Sequence, residues 1–272
     1  MNYELVDTHC HIQSAGQAEG ERHTQELWAK ADNIDRTSLV KHAVESGVTK
    51  LICVGCDLVD SKLAVDFVQD QPNCWASIGI HPHEAKQYAD NPKLLEEFAE
   101  LAASQKVVAI GECGLDFYYN HSPKEAQITL LKFQIELALK YDLPLIFHVR
   151  EAFDDFWPIF DQYQGIRGVL HSFTDSMEHM KKATDLGLHI GVNGIATFTK
   201  NDEQLATYKA IPLQKLLLET DAPFLTPTPY RGTINEPKNI RVVSEFLSGL
   251  RDENLEQLAA ATSQNARTLF GI

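Results

Sequence analysis

The sequence predicts a single (β/α)8 barrel over residues 1–272, with its chemistry gathered at the C-terminal ends of the strands. Short apolar runs alternate with longer amphipathic stretches along the whole chain, the pattern of βα units. Several of those runs are near-continuous Val, Ile and Leu, as parallel strands covered on both faces require. About eight such units in about 250 residues fit a closed barrel better than an open sheet. The first run is also followed by Asp-Thr-His-Cys-His, where a doubly wound sheet would carry a glycine-rich phosphate loop.

The strand candidates, in order, are YELVD, TKLICVG, CWASIGI, KVVAIGE, LPLIFHV, RGVLHSF, LHIGVNG and LLLETD. Apolar residues at three- and four-residue spacing predict helices over 37–46, 60–69, 92–104, 124–141, 175–186, 237–249 and 253–270. The helix over 124–141 is the clearest, with Ser122-Pro123 read as its cap and first-turn residue.

The hydrophobic content of 44% is ample for one large core, and no apolar run approaches the roughly 20 residues of a membrane span. The first residues carry acids and no basic patch followed by an apolar stretch, which predicts a cytoplasmic protein. Five cysteines, an odd count, argue against a disulfide framework, and Cys53-x-x-Cys56 reads as core filling at a strand end. A net charge of −14 excludes a protein that coats duplex DNA through a basic face. It does not exclude an enzyme whose bound cations supply the local positive field.

The candidate site follows from what stands at the strand ends. The first strand ends in His9-Cys10-His11, and alternation puts both imidazoles on one side. The fourth ends in Glu112 between Gly111 and Gly114, the fifth in His148-Val149-Arg150, the sixth in His171 and the eighth in Glu219-Thr220-Asp221. Four histidines and two acids at one end of a barrel are costly to bury without a purpose. A metal centre gives them one, since each ion satisfies several donors together.

With those residues in place, the motifs DTHCH, GIHPH (79–83), GECGLDF (111–117), HVR (148–150), HSF (171–173), ETDAPF (219–224) and RGTINEP (231–237) resemble the motif series of the TatD-like hydrolases, in order, through to the closing NARTLFG. The resemblance implies an amidohydrolase-like barrel and a divalent-metal-dependent deoxyribonuclease of the 3′-to-5′ exonuclease type, acting on single-stranded DNA or 3′ ends with no obligatory protein partner. It implies two ions: His9 and His11 on the first, Glu112 as the bridge, His148 and His171 on the second, and Asp221 holding a metal and its reactive water. Family activity points to Mg²⁺, whereas mixed imidazole and carboxylate donors also suit Zn²⁺, Mn²⁺ or Ni²⁺.

On this reading Asp221 orients and deprotonates the attacking water. Arg150 and Arg231 clamp phosphate through their guanidinium forks. His81 contacts phosphate or protonates the leaving group, and Asp7 and Glu219 orient the ligands from two residues deeper. Tyr118, Tyr119 and Phe117 offer rings for base stacking. His23, His42, His121, His179 and His189 receive no role. Two features depart from the family pattern. The segment 14–31 is long, and reads as a lid or a surface insertion. Thr233 stands where members often carry Lys, which would weaken a phosphate grip. The alternative function is a metal hydrolase of a non-DNA ester, lactone, amide or aminoacyl-tRNA.

Overall fold

The computed structural model describes residues 3–31 and 34–272. Eight parallel strands run in sequence order: β1 (Leu5–Cys10), β2 (Val48–Val54), β3 (Cys74–Ile78), β4 (Val107–Asp116), β5 (Leu145–Arg150), β6 (Gly168–Leu170), β7 (His189–Val192) and β8 (Leu216–Leu218). The seam between β8 and β1 closes through a parallel bridge at Cys10 and Ala222, with the Thr8 hydroxyl donating to Leu218 O at 2.9 Å. The barrel of the sequence reading is therefore present, strand for strand. Among the described residues no helix is long and apolar enough to cross a membrane.

Around it lie α1 (Arg22–Trp28), α2 (Arg36–Glu45), α3 (Leu58–Gln69), α4 (Ala85–Tyr88), α5 (Pro92–Glu100), α6 (Lys124–Tyr141), α7 (Phe153–Phe160), α8 (Met177–Asp185), α9 (Asp202–Ala210), α10 (Ile240–Arg251) and α11 (Leu255–Phe270). The seven expected helices are all present within a few residues. The unread helices are short, and α7 carries Pro158 inside it, a residue that reads as a breaker. Ser122 does not cap α6: its hydroxyl donates to His83 O at 2.6 Å and accepts from Lys86 N at 3.1 Å, tying the β3 loop to the start of α6.

Two apolar clusters make the core. One draws Val6, Ile52, Val108, Ile146, Val169 and Leu217 from the strands to the barrel interior, where Leu269 and Phe270 of α11 join them. The larger one packs the outer strand faces against the helices. Simple alternation does not hold where the site begins. The β1–β2 register shifts between Asp7 and Cys10, and the β4–β5 register shifts between Ile110 and Cys113. Such bulges re-aim side chains at barrel mouths. Here they turn Cys10 and Cys113 into the outer core and leave His9, His11 and Glu112 facing the mouth.

Candidate metal centre and its cleft

The strand ends open into a cleft of about 990 Å³, lined among others by His11, His81, Glu112, His148, Arg150, His171 and Asp221. At its floor the six residues expected from the sequence converge. His9 Nε2 lies 3.1 Å from His11 Nε2, 3.4 Å from Glu112 Oε2 and 3.7 Å from Asp221 Oδ1. His11 Nε2 is 3.3 Å from the same Asp221 oxygen. Glu112 Oε1 meets His148 Nδ1 at 2.6 Å, His81 Nε2 at 3.5 Å and His171 Nε2 at 3.6 Å. The His9 and His171 rings stack with centroids 3.6 Å apart.

Backbone detail holds these groups in place. His11 Nδ1 is 2.8 Å from Val54 O, which fixes the tautomer and turns Nε2 to the floor. Trp28 of α1 donates its indole N–H to His11 O at 2.9 Å. Glu112 sits where β4 presses close to its neighbours. Gly114, at φ +153°, has no room for a side chain, because a Cβ there would collide with His148 O. Glu219 reaches under the floor, accepting from Ser172 N at 2.6 Å. Its Oε1 also lies 3.2 Å from His171 Nδ1, an ion-pair distance without hydrogen-bond alignment.

The donor set fits divalent metal. Two donors bound to one ion at about 2.0–2.1 Å stand about 2.8–3.4 Å apart at right-angle to tetrahedral spacing. Three separations among His9, His11, Asp221 and Glu112, at 3.1, 3.3 and 3.4 Å, match that edge length, and the fourth, His9 to Asp221, is wider at 3.7 Å. His9, His11 and Glu112 form one group able to hold an ion, and His81, Glu112 and His148 form another. Glu112 belongs to both.

Electrostatics mark the same floor. Burial opposes charge on His11, His148 and His171, yet facing carboxylates outweigh it and raise each to about 9. The carboxylates are Asp221 for His11, Asp116 and Glu112 for His148, and Glu219 and Glu112 for His171. Burial would raise Glu112 and Asp221, but the surrounding imidazoles hold both below the usual carboxylate range. His81 has the opposite balance, and burial pulls it down to about 4. Metal binding would resolve the contest by replacing imidazole protons with an ion.

Three readings need correction. Asp7 does not orient the His9 ring. Its carboxylate accepts from Thr220 N at 2.9 Å, from the Thr220 hydroxyl at 2.5 Å and from His9 N at 3.2 Å, so it stitches β1 to the end of β8. The register shift after Asp7 breaks the face the two residues would have shared, and His9 Nδ1 has no partner. His23 and His121, given no role, both line the cleft, His23 stacked on Phe224 at 5.2 Å. Cys56, read as core filling, has a buried thiol that also lines the cleft, 3.7 Å from His11 Nδ1.

The two arginines separate. Arg150 lines the cleft. Arg231 is not brought to it: its guanidinium lies 3.9 Å over the Phe198 ring and donates to Thr226 O at 2.9 Å. Thr233 sits apart too, in a groove with Tyr230 and Lys238, its hydroxyl donating to Tyr230 O at 2.8 Å. The segment 14–31 folds onto the cleft and supplies Glu21, His23 and Thr24 to its wall. One residue without a sequence-assigned role proves central. Asp116, buried, faces His83 Nε2 at 2.9 Å and His148 Nε2 at 3.2 Å and accepts from Tyr119 N at 2.9 Å. Its signal was its place as the last residue of β4, on the strand that carries Glu112.

Comparison with known proteins bears on this cleft directly. The model of the family described as TatD related DNase matches residues 6–271. YabD of Bacillus subtilis, an uncharacterized metal-dependent hydrolase, is 33% identical over 270 residues, covering 98% of this chain and 99% of that one. The 3′-5′ ssDNA/RNA exonuclease TatD of Shigella flexneri is 36% identical over 247 residues, covering 88% and 94%. The crystal structure of the TatD homologue YJJV of Escherichia coli superposes with a TM-score of 0.86 at 28% identity, covering 100% of both chains. Because the match spans every strand end that builds the cleft, the chain belongs to the TatD-related DNase family of metal-dependent hydrolases.

Proposed function

We propose that this enzyme removes nucleotides from the 3′ end of single-stranded DNA, using two divalent cations held at the cleft floor. The observation that carries the reading is the convergence of His9, His11, Glu112, His148, His171 and Asp221 on one floor, with Glu112 shared between two donor groups. His9, His11 and Asp221 would hold one ion and His148 and His171 the other, with Glu112 within reach of both donor groups. Bound there, the ions polarise the phosphoryl group and make water acidic near neutral pH; Mg²⁺ is the working choice and Mn²⁺ or Zn²⁺ suits the same donors.

The chain's own groups do the rest. Asp221 is held ionised and accepts the proton of the attacking water. The water oxygen bonds to phosphorus as the P–O3′ bond breaks, and the proton taken by Asp221 passes on to the departing O3′, leaving a 3′-hydroxyl on the shortened strand and a 5′-mononucleotide. His81 keeps Nε2–H as its donor, because Nδ1 accepts from His83 N at 3.2 Å. Kept neutral by burial, it offers that N–H to a phosphoryl oxygen rather than acting as a proton reservoir. Arg150 at the cleft wall grips the neighbouring phosphate.

The test is a single-stranded oligonucleotide labelled at its 5′ end, incubated with Mg²⁺, Mn²⁺ or Zn²⁺, with and without EDTA. A labelled ladder shortening from the 3′ end, abolished by EDTA, is expected. No loss of DNA with any of the three ions overturns the reading. A non-DNA ester substrate is favoured by one observation, the acids Glu21, Glu84 and Asp116 in the same cleft wall, and an ester and RNA panel run alongside decides it.

A further inference from the structure

The side of the cleft formed by the β4 and β5 ends carries a patch that the metal chemistry does not use. Tyr118 and Tyr119 follow β4 directly and remain 54% and 51% exposed, among the most exposed large rings of the described residues. Their rings meet edge to face at 4.8 Å. The Arg150 guanidinium lies 4.3 Å from one centroid and 4.7 Å from the other. Tyr119 and His121 have nearly parallel planes, 3° apart, with centroids at 5.8 Å. Ring contacts then run inward without a gap: Tyr119 to His83 at 5.7 Å, His83 to His81 at 4.3 Å and His81 to His148 at 4.6 Å. The patch is continuous with the metal centre.

Charge says what such a patch is for. Among the described residues lining the cleft, the lysine and arginine side chains are Lys86 and Arg150, and the chain carries −14 overall. Two cations neutralise two phosphates and give a salt slope of only about −1.4 for a single strand, too little to hold a polyanion by charge. Binding of single strands otherwise comes from base stacking on exposed rings, which tolerates any sequence because every base has a π face. A cation already resting against both tyrosines pre-organises the rings and places the phosphate grip beside the stacking surface.

Resting on the function proposed above, we infer that Tyr118 and Tyr119, braced by Arg150, form the stacking platform for a nucleobase flanking the scissile phosphate. The enzyme thus recognises a short single-stranded end by one stacked base and at most two phosphates. Tyr119 N, not its ring, bonds Asp116, so ring removal leaves that hydrogen bond in place.

The test is a cycle between protein and substrate. Wild type and the double variant Tyr118→Ala/Tyr119→Ala are assayed for KM and kcat on an intact oligonucleotide and on two versions, each abasic at one position flanking the cleaved bond. The variant should raise KM on the intact strand by about 5- to 150-fold. Wild type should lose a similar factor on one abasic strand, and the variant should lose nothing further on it. Independent, multiplying losses on both abasic strands, or an unchanged KM in the variant, overturn the platform. If wild type cleaves neither DNA nor RNA with any ion, the proposed function itself has failed, a result distinct from an active enzyme indifferent to its tyrosines.

Discussion

Filling the metal centre should expel protons, and the number follows from the floor's electrostatics. His11, His148 and His171 are each raised to about 9 by their carboxylate neighbours. At about pH 7.5 a group titrating near 9 is roughly 97% protonated. An imidazole must be neutral to bind metal, so loading all three sites releases close to three protons per chain. The overall binding constant then rises nearly a thousandfold for each pH unit gained below about pH 8, while release falls to roughly 0.3 protons near pH 10. Calorimetric titration of the metal-free protein with Mn²⁺ or Zn²⁺, in two buffers of matched pKa and different ionisation enthalpy, reads the number directly. His148→Gln should lower it by about one. Fewer than about one proton released by the wild type would refute the account of the floor. Stability has the complementary sign. These histidines sit above the ordinary value of 6.5, so their contribution is complete below that pH and lost as pH rises through 9. Metal-free protein should therefore melt lower at about pH 9.5 than at pH 7.

Other perturbations probe single links. Glu112→Gln keeps the shape but removes the charge facing His9, His81, His148 and His171; metal bound per chain should fall and hydrolysis drop by at least about 10³-fold, as metal analysis and initial rates will show. Asp221→Asn should lower kcat by about 10²–10⁴-fold, with circular dichroism unchanged; wild-type turnover would dismiss Asp221 as the base. Trp28→Phe deletes the buried indole hydrogen bond to His11 O, costing about 1–3 kcal/mol and lowering Tm by roughly 2–12 °C. A thermal scan with an unchanged Tm would show that α1 is not anchored there.

The barrel was legible because its signal is repeated: eight apolar runs and the stretches between them agree with one another, so no single run has to be read correctly. The metal donors were legible for a related reason, since polar residues that end apolar strands are conspicuous against the run before them. What escaped depended on contacts that spacing does not encode. Asp7 lies two residues before His9, and alternation would pair their side chains; a bulge of one residue hands the carboxylate to Thr220 instead. Arg231 lies in a family motif, yet Phe198, remote in sequence, and Thr226 O, just before it in the same loop, hold it away from the cleft. His23 belongs to a segment placed by contacts remote in sequence, the Trp28 bond to His11 O and the stacking of His23 on Phe224. Asp116 was visible as a strand-end acid, but its partners come from β5 and the β3 loop, and nothing in its own neighbourhood names them.

The acidity that argues against nucleic-acid binding is, at the floor, a condition for it. Without metal, Glu112, Asp221 and Asp116 are balanced by imidazolium groups, and among the described residues lining the cleft the lysine and arginine side chains offered to a phosphate are Lys86 and Arg150. With metal, Glu112 and Asp221 would become ligands and the positive field would be concentrated where bonds break rather than spread along a strand. Affinity and catalysis are then supplied by different groups: ions for the scissile phosphate, rings for the base. A face of lysines would hold DNA at every position alike. A point charge beside an aromatic patch holds it at one, and gains most from a free end that can enter a cleft walled by the α1 segment on one side and Tyr119 on the other.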